Sequence, residues 1–417
     1  MKLKRVVVTG LGALTPLGNS TKEYWEGLIN GVNGVGEITR FDASKFKTRF
    51  ACELKNYDPL NYFDRKEARK FDTCCQYGLI AADEALKDSG LDLQKINLNR
   101  AGVIWGSGIG GLDTFYEEIT NFNKGDGTPR YNPFFIPKMI VDITSGNISI
   151  KYGFRGPNFA TVSACASASN AIVDAFNYIR LGKADIFITG GSEAAISAPG
   201  VGGFNALHAL STRNDDMYTA SRPFDKDRDG FVLGEGSAAL IVEELEHALQ
   251  RGATIYAEII GSGLSADAHH MTAPHPEGLG AKLSMKSALE DAELNLQDID
   301  HINTHGTSTP AGDVAETNAI AELFGEHAPK IKINSTKSMT GHLLGAAGAI
   351  ESIAVILPLK YGIIPPTINH FTDDPEINSN LDIVFNKAIK KDVNITASNT
   401  FGFGGHNVTL IFKKFAL

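Results

Sequence analysis

The stretch TVSACASASNAI, residues 161–172, sets one thiol, Cys165, among alanines and serines with almost no bulk around it. A strand-like run turns here into a helix. Ala168, Ala171, Ile172, Ala175, Phe176 and Ile179 recur at three- and four-residue steps, marking one buried face that stops near Gly182. A strand feeding a buried helix is the repeating unit of a layered α/β protein. The junction also poses a chemical question. A lone cysteine among small residues is usually an inert core side chain, whereas the N–H groups and dipole of a helix start favour a thiolate. Ala164, Ala166, Ser167 and Ala168 leave room for a substituent on sulfur. On this segment alone both readings stand, because reactive and structural cysteines look alike in sequence.

Outward from this junction, strand-like and helical runs alternate along the whole chain. RVVVT (Arg5–Thr9) reads as a buried strand followed by a turn, and Cys74–Leu91 as a helix with a stop at Ser89 and Gly90. Gly102–Trp105 and Ile186–Thr189 are short strands that run into glycines. The second half has the same rhythm: strand Ile255–Ile260, helix Ala281–Leu294, strand His301–Thr304 and a helix from about Val314 to Phe324. GAAGAIESIAVIL (345–357) predicts a tightly packed helix, and NITASNT with NVTLIFKK a closing hairpin. Like order in two halves predicts an internal duplication, although no residue-level repeat accompanies it. No low-complexity linker separates the halves, so one shared body is expected.

Composition narrows the function classes. With 417 residues, 43% hydrophobic and 21% charged, the chain can bury a sizeable core. A net charge of −9 gives no footprint for a nucleic-acid partner. Cys52, Cys74, Cys75 and Cys165 form neither a zinc spacing nor a disulfide framework, which predicts a reducing, cytoplasmic setting. The basic, apolar start MKLKRVVVTGLGALTPLG is interrupted by Thr9, Gly10, Gly12, Thr15 and Pro16 too early for a signal peptide. No uninterrupted apolar run approaches membrane-spanning length. A soluble protein without a membrane partner is expected.

Three further segments carry chemistry-bearing residues. In NTHGTSTPAGD (303–313), His305 leaves a strand for a loop crowded with hydroxyls, where α/β folds meet their ligands; a histidine fixing a turn is the alternative. In STKSMTGHLLGAAGAIES (335–352), Lys337 and His342 precede the small-residue helix, whose Gly345 and Gly348 also predict close helix packing. In NTFGFGGHN (399–407), Gly402, Gly404 and Gly405 flank Phe403, as a plain hairpin turn or as a flap whose N–H groups face a reacting carbonyl. One cysteine, two histidines and a lysine beside glycine turns fit acyl transfer through a thioester, with neutral imidazoles donating to an enolate oxygen. Such chemistry needs no metal, and the adjacent His269 and His270 do not face one ligand. GSGIGG (106–111) matches a dinucleotide fingerprint, but the loop GDGTPRYNP stands where its acidic ribose partner is required. No cofactor is expected.

Taken together, RVVVTGLGALTPLG, RKEARKFD, GSGIGGL, VSACAS, GVGGFNALHALSTRND, RPFDKDRDGFVLGEG, NTHGTSTPAGD, STKSMTGHLLGAAGAIES and FGFGGHN resemble the β-ketoacyl-[acyl-carrier-protein] synthases, specifically their elongating type II branch, nearly end to end. The resemblance implies an α/β, thiolase-like fold: duplicated halves, 1–253 with the nucleophile and 254–417 with the histidines, in a five-layered αβαβα body, as a homodimer. It implies Cys165 as nucleophile, His305 and His342 as catalytic histidines, Lys337 as their support and Glu351 as the partner of that lysine. The N–H groups of Cys165 and Phe403 would form an oxyanion hole, Ile109 and Phe403 an acyl-pocket gate, and Thr307 and Thr309 contacts to phosphopantetheine. Arg65, Lys66, Arg69 and Lys70 would dock acyl carrier protein in its acyl- and malonyl-loaded forms. His208 stands where this branch often has a carrier-binding arginine, and His406 where some members have threonine. A silent length-setting partner would lack the nucleophile and histidines kept here. A thiolase would place a second cysteine where FGFGGHN stands. A polyketide or aryl-polyene ketosynthase shares every catalytic motif and remains the alternative.

Overall fold

The alternating elements assemble into one continuous sheet of eleven strands. The computed structural model describes residues 3–416. The strands of the large sheet are β1 (Val6–Leu14), β2 (Ala101–Gly106), β3 (Asn158–Thr161), β4 (Ile186–Glu193), β5 (Gly236–Glu244), β6 (Ala257–Ala266), β7 (His301–Asn303), β8 (Lys332–Asn334), β9 (Asp382–Ile383), β10 (Ile395–Gly402) and β11 (His406–Lys413). Across the sheet the order is β9-β8-β7-β10-β11-β6-β1-β5-β4-β2-β3.

Divided between β1 and β6, the two sides repeat one pattern. On each side the first strand pairs antiparallel with the last, and the last antiparallel with the strand before it. That strand then runs parallel to the second, and the second to the third. β9 is an added edge strand on the second side. The duplication that no residue repeat betrays is therefore present as topology. Only Val6–Val8 and Ala257–Ile259 pair across the join.

Seven helices concern the site and its frame: α1 (Thr73–Ser89), α2 (Leu112–Lys124), α3 (Ile143–Tyr152), α4 (Ser167–Arg180), α5 (Leu279–Asp291), α6 (Pro310–Phe324) and α7 (Ala347–Tyr361); all but α2 build the layers. α1 and α3 cover the outer face of the first half-sheet, and α5, with α6 beside it, covers the second; α4 and α7 lie between the two. This is the αβαβα order of the thiolase-like fold. α7 is buried on every side from Ala347 to Leu359, as expected of a helix that is apolar all round. The run Leu344–Tyr361 is long and apolar enough to cross a membrane, but 89% of it is enclosed by protein.

Where strands outrun the sequence expectation, the reason is close packing. β1 does not turn after Thr9 but continues through Gly10 and Gly12 to Leu14, because α1 crosses it so closely that a Cβ at either glycine would press on the carbonyls of Ala85 and Ala81. β4 likewise runs on to Glu193, where a Cβ at Gly191 would stand 2.7 Å from Ala168 of α4. α1 begins one residue before the expected start, its N-terminus capped by Asp72, which accepts from the Cys74 N–H at 2.9 Å, and ends at Gly90 with φ +63°.

The central helices meet at Gly348, where an added Cβ would collide with the Ser169 side chain and lie 2.9 Å from its backbone nitrogen. Gly348→Ala is therefore expected to destabilise the protein by about 1–3 kcal/mol through overpacking. Gly203→Ala, in an open helical position with nothing within 4 Å, serves as the control and should hold or raise the melting temperature. Equal melting temperatures for the two variants would contradict this account of the interface.

Candidate active site

Between β3 and α4 the chain makes a tight elbow with Cys165 at its tip. Ala164, the residue before it, has φ +51°, a left-handed conformation costly for a residue with a Cβ. Ser167 holds the turn: its Oγ accepts from the Ser163 N–H at 3.0 Å and donates to the Ala164 carbonyl at 2.7 Å. Asn170 Nδ2 donates to Ser163 Oγ at 2.6 Å. The thiol is 8% exposed and lies at the wall of a cavity of about 440 Å³.

The second half brings the other reactive groups to this point. His342 Nε2 is 3.0 Å from Cys165 Sγ, and the rings of His305 and His342 meet edge to face at 5.2 Å. Sγ and the two imidazoles offer atoms all within 4.8 Å of one another. These are the one trio among the described residues that can hold a metal ion, a coordination that would occupy the sulfur lone pair needed for attack. His305 leaves the end of β7, and its backbone N–H and that of Gly306 donate to the buried Glu316 carboxylate at 2.9 and 2.8 Å. His342 is anchored by its own N–H to the Val232 carbonyl at 2.7 Å. Phe231 packs its ring against the imidazole at 5.3 Å. Lys337 is buried and its ammonium is bonded to Glu351 on α7.

Burial and the Lys337 charge hold both imidazoles well below the ordinary histidine range, so each is neutral at physiological pH. Burial pushes Glu351 up to about 7 against the pull of Lys337. The helix-start effect on the thiol is outweighed. Cys165 precedes the first turn of α4 and is largely buried, and that burial pushes it up to about 11. Lys337 and the Phe403 and Cys165 N–H groups oppose that shift without cancelling it. The resting group is a thiol, not a thiolate.

The remaining sequence candidates fall in two places. Ile109, Phe403, Thr307 and Thr309 all line the cavity, with the two threonine hydroxyls 3.0 Å apart. Arg65, Lys66, Arg69 and Lys70 lie outside it, on and just after a helical turn capped by Asp64. All four are exposed, and none forms an ion pair among the described residues. His208 is exposed with φ +54°, and His406 is exposed at the start of β11.

Several contributors escape sequence reasoning. Asp267, Thr272, Ala273 and Pro274 form a cavity wall. This loop is tied to the glycine flap by Gly404 N–H to the Met271 carbonyl at 2.8 Å, and by Asn407 Nδ2 to Asp267 at 2.8 Å. His269 and His270 sit exposed on the same loop. Phe204, Phe231 and Leu344 supply apolar wall. Phe204, Phe231 and Leu344 fall within motifs quoted above, but nothing in those motifs marks them as wall; only the fold assembles the set.

With this geometry in view, comparison with known proteins is direct. Family models for the Beta-ketoacyl synthase, N-terminal domain and the Beta-ketoacyl synthase, C-terminal domain match residues 3–248 and 256–371. The chain belongs to the beta-ketoacyl synthase family. It is 50% identical over 413 residues to the 3-oxoacyl-[acyl-carrier-protein] synthase 2 of Staphylococcus aureus (strain COL), covering 99% of each chain. It is also 50% identical over 415 residues to the protein of that name from Synechocystis sp., covering 100% of this chain and 99% of the other. A solved beta-ketoacyl synthase from Burkholderia phymatum matches at a TM-score of 0.91 and 38% identity, with 99% of this chain and 100% of that one covered. A type II polyketide ketosynthase, solved with its acyl-carrier protein and bound to the hexaketide, matches at a TM-score of 0.90 and 34% identity over the same shares.

The raised thiol makes a testable statement. Alkylation of Cys165 by iodoacetamide should accelerate continuously from pH 7 to pH 10, as the thiol ionises toward its value of about 11. A rate that levels off at or below pH 7 would mean a resting thiolate and overturn the assignment.

Proposed function

We propose that this chain is a 3-oxoacyl-[acyl-carrier-protein] synthase of fatty-acid elongation, with Cys165 as its acyl carrier and His305 and His342 as its condensing pair. The observation that carries the assignment is the meeting of one thiol and two neutral imidazoles at the wall of an apolar cavity. Its first half, 1–253, supplies the nucleophile; its second half, 254–417, supplies the histidines, lysine and flap.

The reaction runs in two stages. An acyl thioester on carrier protein enters past Thr307 and Thr309. Cys165 attacks its carbonyl, and the thiol proton passes by way of His342, which lies at hydrogen-bond distance, to the departing carrier sulfur, so that no imidazolium persists. The tetrahedral oxygen is held by the N–H groups of Cys165 and Phe403. The carrier thiol leaves with a proton, and the chain remains on sulfur, with Ile109 and Phe403 gating its pocket. Malonyl-carrier protein follows. His305 and His342 donate to its thioester carbonyl, carbon dioxide departs, and the electron pair left behind is an enolate stabilised by those bonds. The enolate carbon attacks the Cys165 thioester, the carbon–sulfur bond breaks, and a 3-oxoacyl chain two carbons longer leaves on the carrier, while Cys165 departs as a thiolate and takes a proton from solvent to restore the resting thiol. Neutral imidazoles suit this step, since an imidazolium would be costly in so enclosed a site. Burial keeps them neutral, and the charge of Lys337, paired with Glu351, reinforces it.

The partner is acyl carrier protein, which is acidic, and the exposed Arg65, Lys66, Arg69 and Lys70 are its docking surface, with His208 contributing less than an arginine would. A homodimer is supported by the unpaired edge of β3 beside the exposed Val162. Four unpaired thiols support a cytoplasmic setting. Polyketide assembly is the second reading, favoured by the carrier-bound ketosynthase match at 34% identity; the 50% matches over the full chain weigh for fatty-acid elongation.

Intact-protein mass spectrometry tests the nucleophile. Mixing with acyl-carrier protein should add one acyl mass, lost in Cys165→Ala; no mass gain on the parent protein would sink the mechanism. His305→Ala should still accept the chain but condense about 10²–10³-fold more slowly; normal extension would remove its role. Arg69→Glu should raise KM for carrier protein severalfold with kcat unchanged, and an unchanged KM would move the docking surface elsewhere.

A further inference from the structure

The GSGIGG run at 106–111 has the glycine pattern of an anion cradle, and the structure shows what fills it. The occupant is the protein's own carboxylate, Glu193, at the end of β4. It is fully buried, with no cation paired to it among the described residues. Oε1 accepts from Ser107 Oγ at 3.0 Å and from the Ile109 N–H at 3.2 Å. Oε2 accepts from the Gly108 N–H at 2.8 Å and the Gly345 N–H at 2.9 Å. Ser107 Oγ in turn accepts from the Gly110 N–H at 3.1 Å. The close approach explains two glycines: a Cβ would stand 3.0 Å from Oε2 at Gly108 and 2.6 Å at Gly345.

Those four donors come from two halves of the molecule. Gly108 and Ile109 belong to the gate loop between β2 and α2. Gly345 belongs to the turn Leu344–Ala346, which links His342 to α7. We propose that Glu193 is a positioning residue that holds the Ile109 gate and the turn behind His342 as one unit. The inference rests on the condensing function argued above, through the roles given there to Ile109 and His342. A carboxylate suits the task because it accepts at both oxygens, where an amide would set its NH2 against N–H donors. Any swing of Ile109 to admit a longer chain breaks bonds to the same group that fixes the His342 turn.

The test is alkylation of Cys165 by two reagents, iodoacetamide and its N-dodecyl analogue, in Glu193→Gln and Ser107→Ala. In Glu193→Gln the short reagent should react about 10-fold more slowly, because His342 is displaced from sulfur, and the ratio of long to short should rise about 5-fold as the gate loosens. Ser107→Ala removes one bond of four and should move both readouts the same way by about 2-fold. Alkylation of the buried Cys75, whose Sγ bonds Asn147 of α3 and no group of the cradle, should not change; a parallel rise there would mean general loosening and overturn the proposal. Parental rates and ratio in both variants would also overturn it, and if Glu193→Gln fails to fold, an unchanged Ser107→Ala does so alone. Failure of the parent protein to accept an acyl chain from carrier protein would instead defeat the proposed function, while the alkylation ratio still reports on Glu193.

Discussion

The whole arrangement depends on one contact without side-chain bulk, where Gly348 of α7 lies against Ser169 of α4. Ser169 Oγ also bonds Thr400 Oγ1 of β10 at 2.9 Å, so three elements meet at a single spot. Each leads directly to part of the site. α4 starts at the Cys165 elbow, the chain entering α7 carries Lys337 and His342, and β10 ends at the Phe403 flap. The spacing of nucleophile, imidazoles and N–H donors is thus set by how closely two helices and a strand approach, not by local turn geometry. At Gly402 the flap itself closes on the elbow, where a Cβ would stand 2.7 Å from the Ser163 carbonyl.

Within that frame, charge is handled sparingly. Burying an ion pair is costly unless both partners are well bonded, and the site contains one such pair, Lys337 with Glu351. Two other buried carboxylates, Glu193 and Glu316, are held by hydrogen-bond donors, chiefly backbone N–H groups, rather than by cations. Around the sulfur the remaining polarity is that of neutral imidazoles and peptide dipoles. Such groups need little reorganisation when charge develops on a substrate oxygen, the condition under which fixed dipoles act most strongly.

Much of this is legible in the sequence because the chemistry-bearing residues stand beside glycine turns at strand ends. Cys165, His305, His342 and Lys337 can be picked out on that ground, and their convergence follows from the family resemblance. Topology is legible as rhythm: the like order of strands and helices in two halves predicts the duplication that the strand pairings display. Strand ends are not, because Gly10, Gly12 and Gly191 read as breaks, whereas they are contacts with helices distant in the chain. The ionisation of Cys165 is not legible either. A helix start pulls a thiol down, but enclosure by both halves pushes it up, and enclosure belongs to the folded body. Phe231 and Glu193 escape for a related reason, since a ring against His342 and an anion in a glycine cradle are recognisable only once remote segments are side by side.

The apolar wall formed by Ile109, Phe204, Phe231 and Leu344 has a consequence in time. A protein that takes its two substrates from successive visits of a carrier must keep the first while waiting for the second. A thioester open to water would be a leaking store, its loss growing with every interval between visits. An apolar pocket slows that leak and lengthens the shelf life. Scarcity of the second carrier then slows the cycle without discarding the chain already loaded.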